Sequence, residues 1–295
     1  MDIIKNISVI FMSIFFESLP FLLLGSCISA IIETYISNEQ LSKMIPKNKV
    51  LGSIVGVFLG FFLPACDCAV IPVSKRLIKK KVPINVAISF MLASPIINPV
   101  VLLSTYYAFY KTTPKIFWYR LIFGIIISLI IGIIMGFIFN KKNVITNQID
   151  DCDCLEEHCN HNNKFLSIIK HTTSDFFEVV KYLMFGALLA SLVQVLLPRS
   201  ILTIFNNNQI LSIITLMLFA YLISLCSTSD SFVGKSLLST FSQSSIVAYL
   251  LLGPMIDIKN TIVLIGNYKK NFIITLISLI FITIFIFSIL VVNLL

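Results

Sequence analysis

Charge is scarce in this chain of 295 residues: 12% are Asp, Glu, Lys or Arg, where an ordinary soluble domain has about 25%. Tryptophan occurs once and histidine three times. The seven cysteines are an odd number without a disulfide framework. No Gly-x-x-x-x-Gly-Lys-Ser/Thr motif is present, so ATP has no P-loop to bind. These shortages exclude a soluble enzyme, a secreted disulfide scaffold and a disordered tail. What abounds is apolar: 57% of residues are hydrophobic and the mean hydropathy is +0.97. A soluble fold of this length cannot hide that much apolar surface. A spanning helix takes ~20 residues, so eight use roughly 160 and leave short loops and one linker. The lipid bilayer is therefore the expected surrounding. A net charge of +8 would suggest nucleic acid in a soluble protein. Here the basic residues sit in short loops beside apolar runs, which reads as membrane topology with no nucleic-acid partner.

Apolar runs at 4–36, 50–72, 83–110, 116–139, 166–198, 210–233, 244–267 and 271–293 predict an all-α polytopic membrane protein of about eight transmembrane helices, or up to ten if broken segments count twice. The first run is too long for a signal peptide and reads as a span. The most basic loop, Lys75 to Lys81, marks the cytoplasmic side. Counting spans from it puts both termini and the linker in the cytoplasm of a multi-pass cell (inner) membrane protein. Lys43, Lys47, Lys49, Lys111, Lys115 and Arg120 then face outward, and Trp118 and Tyr119 beside Arg120 read as an interfacial anchor.

The sequence repeats itself at a spacing near 160. Glu17 aligns with Glu178, Gly25 with Gly186, Cys66 with Cys226, and Pro95-x-x-Asn98 with Pro254-x-x-Asp257. Glu, Cys, Pro and Asn/Asp are scarce or costly inside a membrane, so their agreement weighs more than matched Ile or Phe. The expected organisation is a first membrane repeat at 1–140, a Cys/His/acidic linker at 141–165 and a second membrane repeat at 166–295. Paired repeats are a common transporter plan, with the substrate site near the midplane where they meet.

The polar residues inside these runs are the candidate site. Pro64-Ala65-Cys66-Asp67-Cys68 to Pro72 breaks a span with two thiols flanking a carboxylate, a soft-ligand pattern. Its counterpart is Cys226-Ser227-Thr228-Ser229-Asp230. Asn98 and Asp257 lie at proline breaks, where freed backbone groups can face a substrate. Substrate binding is therefore expected at Cys66, Cys68, Cys226, Asn98, Asp257 and Ser227, and ion coupling at Glu17, Glu178, Asp230 and Asp67. The bland alternatives are helix packing for the thiols, a plain kink at the prolines, and a structural pairing for the glutamates, for instance with Lys181. In the linker Cys152, Cys154, His158, Cys159 and His161 fall within ten residues and could hold a soft metal, though the spacing matches no zinc-finger template. Otherwise the segment is an acidic tether.

Glu17-x-x-Pro20-Phe21 with Gly25, Pro64-x-Cys66-x-Cys68-x-x-x-Pro72-Val73, Ala93-Ser94-Pro95-x-x-Asn98-Pro99, Ser224-Leu225-Cys226-Ser227 with Asp230, and Leu252-Gly253-Pro254-Met255-x-Asp257 resemble the predicted permease family that includes the organoarsenical efflux permeases. The resemblance covers nearly the whole chain apart from the linker. It implies a polytopic inner-membrane permease that exports a small thiophilic substrate such as a trivalent organoarsenical. Asp67, where a small residue is expected, and Ser227-Thr228-Ser229, which lacks an expected acid, depart from the pattern. No enzyme activity and no cofactor is expected, and a homo-oligomer is compatible with the sequence. The rivals are a membrane thiol oxidoreductase, a permease for an unrelated small solute, and a membrane subunit that anchors a partner.

Overall fold

The computed structural model describes residues 2–35, 46, 48–62, 67–139, 144–145, 164–196 and 208–294. Among them the chain forms twelve helices and no strand: α1 (Asp2–Tyr35), α2 (Lys49–Phe62), α3 (Asp67–Lys79), α4 (Ile84–Ile97), α5 (Pro99–Phe109), α6 (Pro114–Ile138), α7 (Lys164–Leu196), α8 (Gln209–Ile223), α9 (Ser227–Leu237), α10 (Gln243–Met255), α11 (Ile258–Asn267) and α12 (Lys270–Leu294). The all-helical expectation holds. Five stretches are long and apolar enough to cross a membrane: 4–28, 114–138, 172–196, 243–267 and 270–292. A sixth is added if α4 and α5, bent by 40° at Asn98, count as one. Large apolar side chains cover the outside, among them Phe58, Tyr107, Trp118 and Phe185. Water would not tolerate such a surface, whereas lipid matches it. The chain is a multi-pass membrane protein.

No single helix fills the run at 50–72 or the run at 210–233; the sequence predicts a break in the first, from Pro64 to Pro72, and none in the second. Helices α2 and α8 have 14 and 15 residues. At 1.5 Å per residue they reach about 21–22 Å, short of a ~30 Å hydrocarbon layer. Each is followed at once by a second short helix, α3 or α9, that starts beside the site. Helix α8 ends at Ser224, whose φ of 53° is left-handed, a conformation that costs a non-glycine residue about 1–2 kcal/mol.

The centre is α4 and α10, buried at every residue of α4 and nearly every residue of α10. Helix α4 lies between α2 and α6 and also meets α10, which packs on α8 and α12. Close approach is set by small residues. Gly52, Gly56 and Gly60 put one face of α2 on α4, and a side chain on Gly56 would strike the Val86 carbonyl. The opposite face of α2, with Phe58, Phe61 and Phe62, points outward. Spacing small residues by four along a helix is a standard means of close packing in lipid. The long helices α1 and α7 pack on each other, α1 also on α3 and α7 on α11. Gly25 lets α1 approach Ala69, and Gly186 lets α7 approach Lys259. Two cross-contacts complete the centre: α5 against α9, and α3 against α11.

The basic run at 75–81 is a loop only from Lys80 onward; α3 extends to Lys79, and Lys75 is buried. The chain re-enters the description at Val144 and Ile145, where the Lys269 amide donates to the Val144 carbonyl at 2.9 Å and Ile145 bridges Tyr268.

Candidate functional site

The starts of α3, α9 and α11 converge, and α5 packs on α9. The starts of α5 and α11 are built by residues singled out above. Asn98 caps α5, its Oδ1 accepting the Val100 amide at 3.0 Å, with Pro99 in the first turn. Proline suits that position because its missing N–H would go unpaired there anyway. Asp257 caps α11, its Oδ1 accepting the Asn260 amide at 2.6 Å. Its other oxygen accepts the Ser224 hydroxyl at 2.7 Å and faces the Lys259 ammonium at 3.7 Å. Ser224 thereby ties the end of α8 to the start of α11, which helps hold its left-handed backbone. Asp257 is wholly buried; Asn98 is almost so.

The starts of α3 and α9 meet directly. The Ser227 hydroxyl donates to Asp67 Oδ1 at 3.1 Å. Behind them lies Arg120, with no exposed surface. Its Nη1 donates to Thr105 Oγ1 at 2.6 Å and to Ser231 Oγ at 2.8 Å, and Nη2 to the Ser227 carbonyl at 3.3 Å. Arg120 therefore joins α6, α5 and α9 from the protein interior. Hydroxyls from two neighbouring helices give its guanidinium the partners that lipid could not. Asp230 is also buried; its Oδ1 accepts the Tyr249 hydroxyl at 3.0 Å, while Oδ2 is unpartnered against Gly253.

A cleft of about 40 Å³, enough for a few waters, is lined by Ile14, Glu17, Ser18, Phe21, Asp67, Cys68, Ser224, Leu225, Cys226 and Lys259. Cys68 is buried and Cys226 half-buried, both as thiols. The Cys226 sulfur lies 3.4 Å from Thr228 Oγ1. Cys68 and Cys226, far apart in sequence, thus open into the same space with Asp67 and Lys259. Glu17 stands exposed at its edge. A soft centre can take sulfur from either thiol, and the charged groups can take or repel charge.

Glu178 lies away from this cleft's lining. It pairs with Lys75, Nζ to Oε1 2.8 Å, rather than with Lys181. Next to Lys75, Ser74 and Tyr268 share a hydrogen bond of 2.7 Å. Together these contacts bind α3 to α7 and to the junction of α11 and α12. Cys66 lies outside the described residues, as do Cys152, Cys154, His158, Cys159 and His161. Among the described residues no three His, Cys, Asp or Glu groups converge as a metal site. Three polar residues of the site were not singled out from sequence: Arg120, Lys259 and Tyr249. The two cations carry a signal, since each interrupts an otherwise apolar run and Lys259 follows Asp257 by two residues.

No solved structure matches the chain. A protein of Streptococcus mutans serotype c (strain ATCC 700610 / UA159), provisionally named a two-component membrane permease complex subunit, is 38% identical over 265 residues, 90% of this chain and 87% of that protein. UPF0718 protein YcgR of Bacillus subtilis (strain 168) is 37% identical over 269 residues, 91% of each. A family model described as predicted permease matches residues 3–293. On that coverage and identity, the chain belongs to the predicted permease family.

Proposed function

We propose that this permease exports a small thiophilic substrate of metalloid or metal type, such as a trivalent organoarsenical. The observation that carries the reading is the shared cleft: Cys68 and Cys226 line it together with Asp67, Lys259 and Glu17. Substrate exchanges between these thiols and Cys66, and Ser227, Asn98 and Asp257 hold the broken segments that frame its path. Glu17, Glu178, Asp67 and Asp230 are the groups through which an ion gradient drives transport. The linker set Cys152, Cys154, His158, Cys159 and His161 captures a soft metal or substrate before delivery.

The reading includes two sequence-related halves, 1–140 and 166–295, around a cytoplasmic linker at 141–165, with eight crossings of the cell membrane and both termini in the cytoplasm. It is supported by the parallel series of helices: α1 to α6 and α7 to α12 run long, short, short, short, short, long. Asn98 and Asp257 cap equivalent helices, and Gly25 and Gly186 serve equivalent close approaches. The short helices α2 and α8 then count as crossings together with α3 and α9.

The test is survival of cells exposed to methylarsenite, comparing the native chain with a variant carrying Cys66→Ser, Cys68→Ser and Cys226→Ser. Loss of tolerance in the variant is expected; equal tolerance removes the thiols from the mechanism. A second reading is favoured by the name of the Streptococcus relative, a two-component membrane permease complex subunit. In it the chain is one subunit of a two-part permease and the linker docks the other. Deleting residues 150–162 separates the two: transport survives in the first and fails in the second.

A further inference from the structure

Six charged side chains are buried among the described residues: Asp67, Asp230 and Asp257, and Lys75, Arg120 and Lys259. Lys75 has Glu178 at 2.8 Å, and Lys259 has Asp257 at 3.7 Å. Arg120 faces Asp230 first, while the cation acting most on Asp67 is Lys259, which Asp67 shares with Asp257. Arg120 directs its described hydrogen bonds to Thr105, Ser231 and the Ser227 carbonyl, not to a carboxylate. Counting Glu178, four carboxylates face three cations, so the fully ionised centre has one negative charge in excess. A buried charge without a partner is strongly unfavourable, so the excess is met either by a proton on a carboxyl or by a positive occupant.

The two carboxylates differ in where they look. Asp230 sits behind the cleft, between the Tyr249 hydroxyl and Gly253. Asp67 lines the cleft itself beside Cys68 and Cys226. Lys259 on the same wall is shared by Asp257 and Asp67, so two carboxylates there face one ammonium. We infer that the cleft selects a positively charged soft metal ion over a neutral thiophile, and that Asp67 makes the selection. The inference rests on the reading of Cys68 and Cys226 as substrate-binding thiols. The charges balance for a divalent ion held by one thiolate and the Asp67 carboxylate. The S–H proton leaves to water, the ion brings two positive charges, and the excess is cancelled. A neutral arsenical leaves it in place. Sulfur supplies affinity for a soft ion and carboxylate supplies charge. So sparse a donor set also suits a cargo that must leave again.

The test uses the full chain in lipid nanodiscs with two probes, cadmium ion and methylarsenite. Each is titrated against alkylation of Cys68 and Cys226, quantified by mass spectrometry. Asp67→Asn is expected to raise the half-protecting cadmium concentration at least tenfold and that of methylarsenite less than threefold; Asp67→Glu is expected to recover most of the cadmium effect. Methylarsenite protection in the Asn variant also reports that the cleft is folded. If neither probe protects Cys68 or Cys226 in the native chain, the thiol reading fails and this inference with it. If the thiols matter but Asp67→Asn leaves cadmium unchanged, or weakens both probes alike, only the charge selection is overturned. The excess is then met by a proton on a carboxyl such as Asp230.

Discussion

Replacing Arg120 by methionine keeps most of the side-chain volume and removes the guanidinium. The loss can be worked from the contacts. Three donated hydrogen bonds disappear, to Thr105, Ser231 and the Ser227 carbonyl. Hydrogen bonds from a charged donor contribute about 1.5–3 kcal/mol each, but the hydroxyls can repartner, Thr105 and Ser231 with each other at 3.0 Å. The larger effect is electrostatic, because Asp230 loses the cation that acts most on it. Breaking a buried charge cluster by removing one member costs about 3–5 kcal/mol. We expect Arg120→Met to destabilise the protein by about that amount. Arg120→Lys, which cannot reach three acceptors on two helices, should fall between. The double variant Arg120→Met/Asp230→Asn should be less destabilised than the sum of its singles by about 1–3 kcal/mol, since each change removes a reason for the other group. The assay is equilibrium unfolding in mixed micelles, followed by circular dichroism. An Arg120→Met variant within about 1 kcal/mol of native, or strict additivity in the double, would refute this account of the buried cluster.

Other outcomes follow from the same contacts. Asp257→Ala should cost at least about 2 kcal/mol more than Asn98→Ala in the same unfolding assay. Both lose a helix cap worth ~1 kcal/mol, but only the first strips Lys259 of its carboxylate. Gly56→Ala should destabilise by about 1–3 kcal/mol, because its new methyl meets the Val86 carbonyl and α2 must move off α4; Gly→Ala in an open stretch of the same helix would do the reverse. Glu178→Lys should lower transport-dependent tolerance in cells, and the swapped pair Lys75→Glu/Glu178→Lys should restore part of it, the 2.8 Å contact being re-formed with its charges exchanged. An unrescued swap would leave Lys75 and Glu178 with separate roles.

The general plan was legible because lipid imposes it: long apolar runs must become helices, and proline breaks must fall where something polar receives the chain. Asn98 and Asp257 were visible for that reason, and the capping bonds explain the breaks. Their bonds to Val100 and Asn260 lie within three residues, so the sequence carries them. Pairings at a distance were not legible. Glu178 finds Lys75 across 103 positions, not Lys181 on its own helix, and Arg120 finds Ser231 across 111. Counting charges in loops assumes that a cation stays outside; Arg120 and Lys75 are inside because hydroxyls or a carboxylate from another helix receive them. The end of α8 was not legible for a related reason. Hydropathy runs straight through Ser224 to Cys226 and does not register that the helix ends there in a left-handed residue, whereas Pro64 and Pro72 announced the other break.

The measurement closest to the central claim is whether Cys68 and Cys226 share one opening. A chain with every other cysteine replaced by serine and a protease site placed in the linker can be cut into two pieces after reconstitution. Treatment with a short thiol-to-thiol cross-linker before denaturation is expected to hold the two pieces together on a gel, and methylarsenite added first is expected to prevent it. Pieces that separate fully although both thiols can be alkylated, or cross-linking that methylarsenite leaves untouched, would contradict a common thiol-lined cleft.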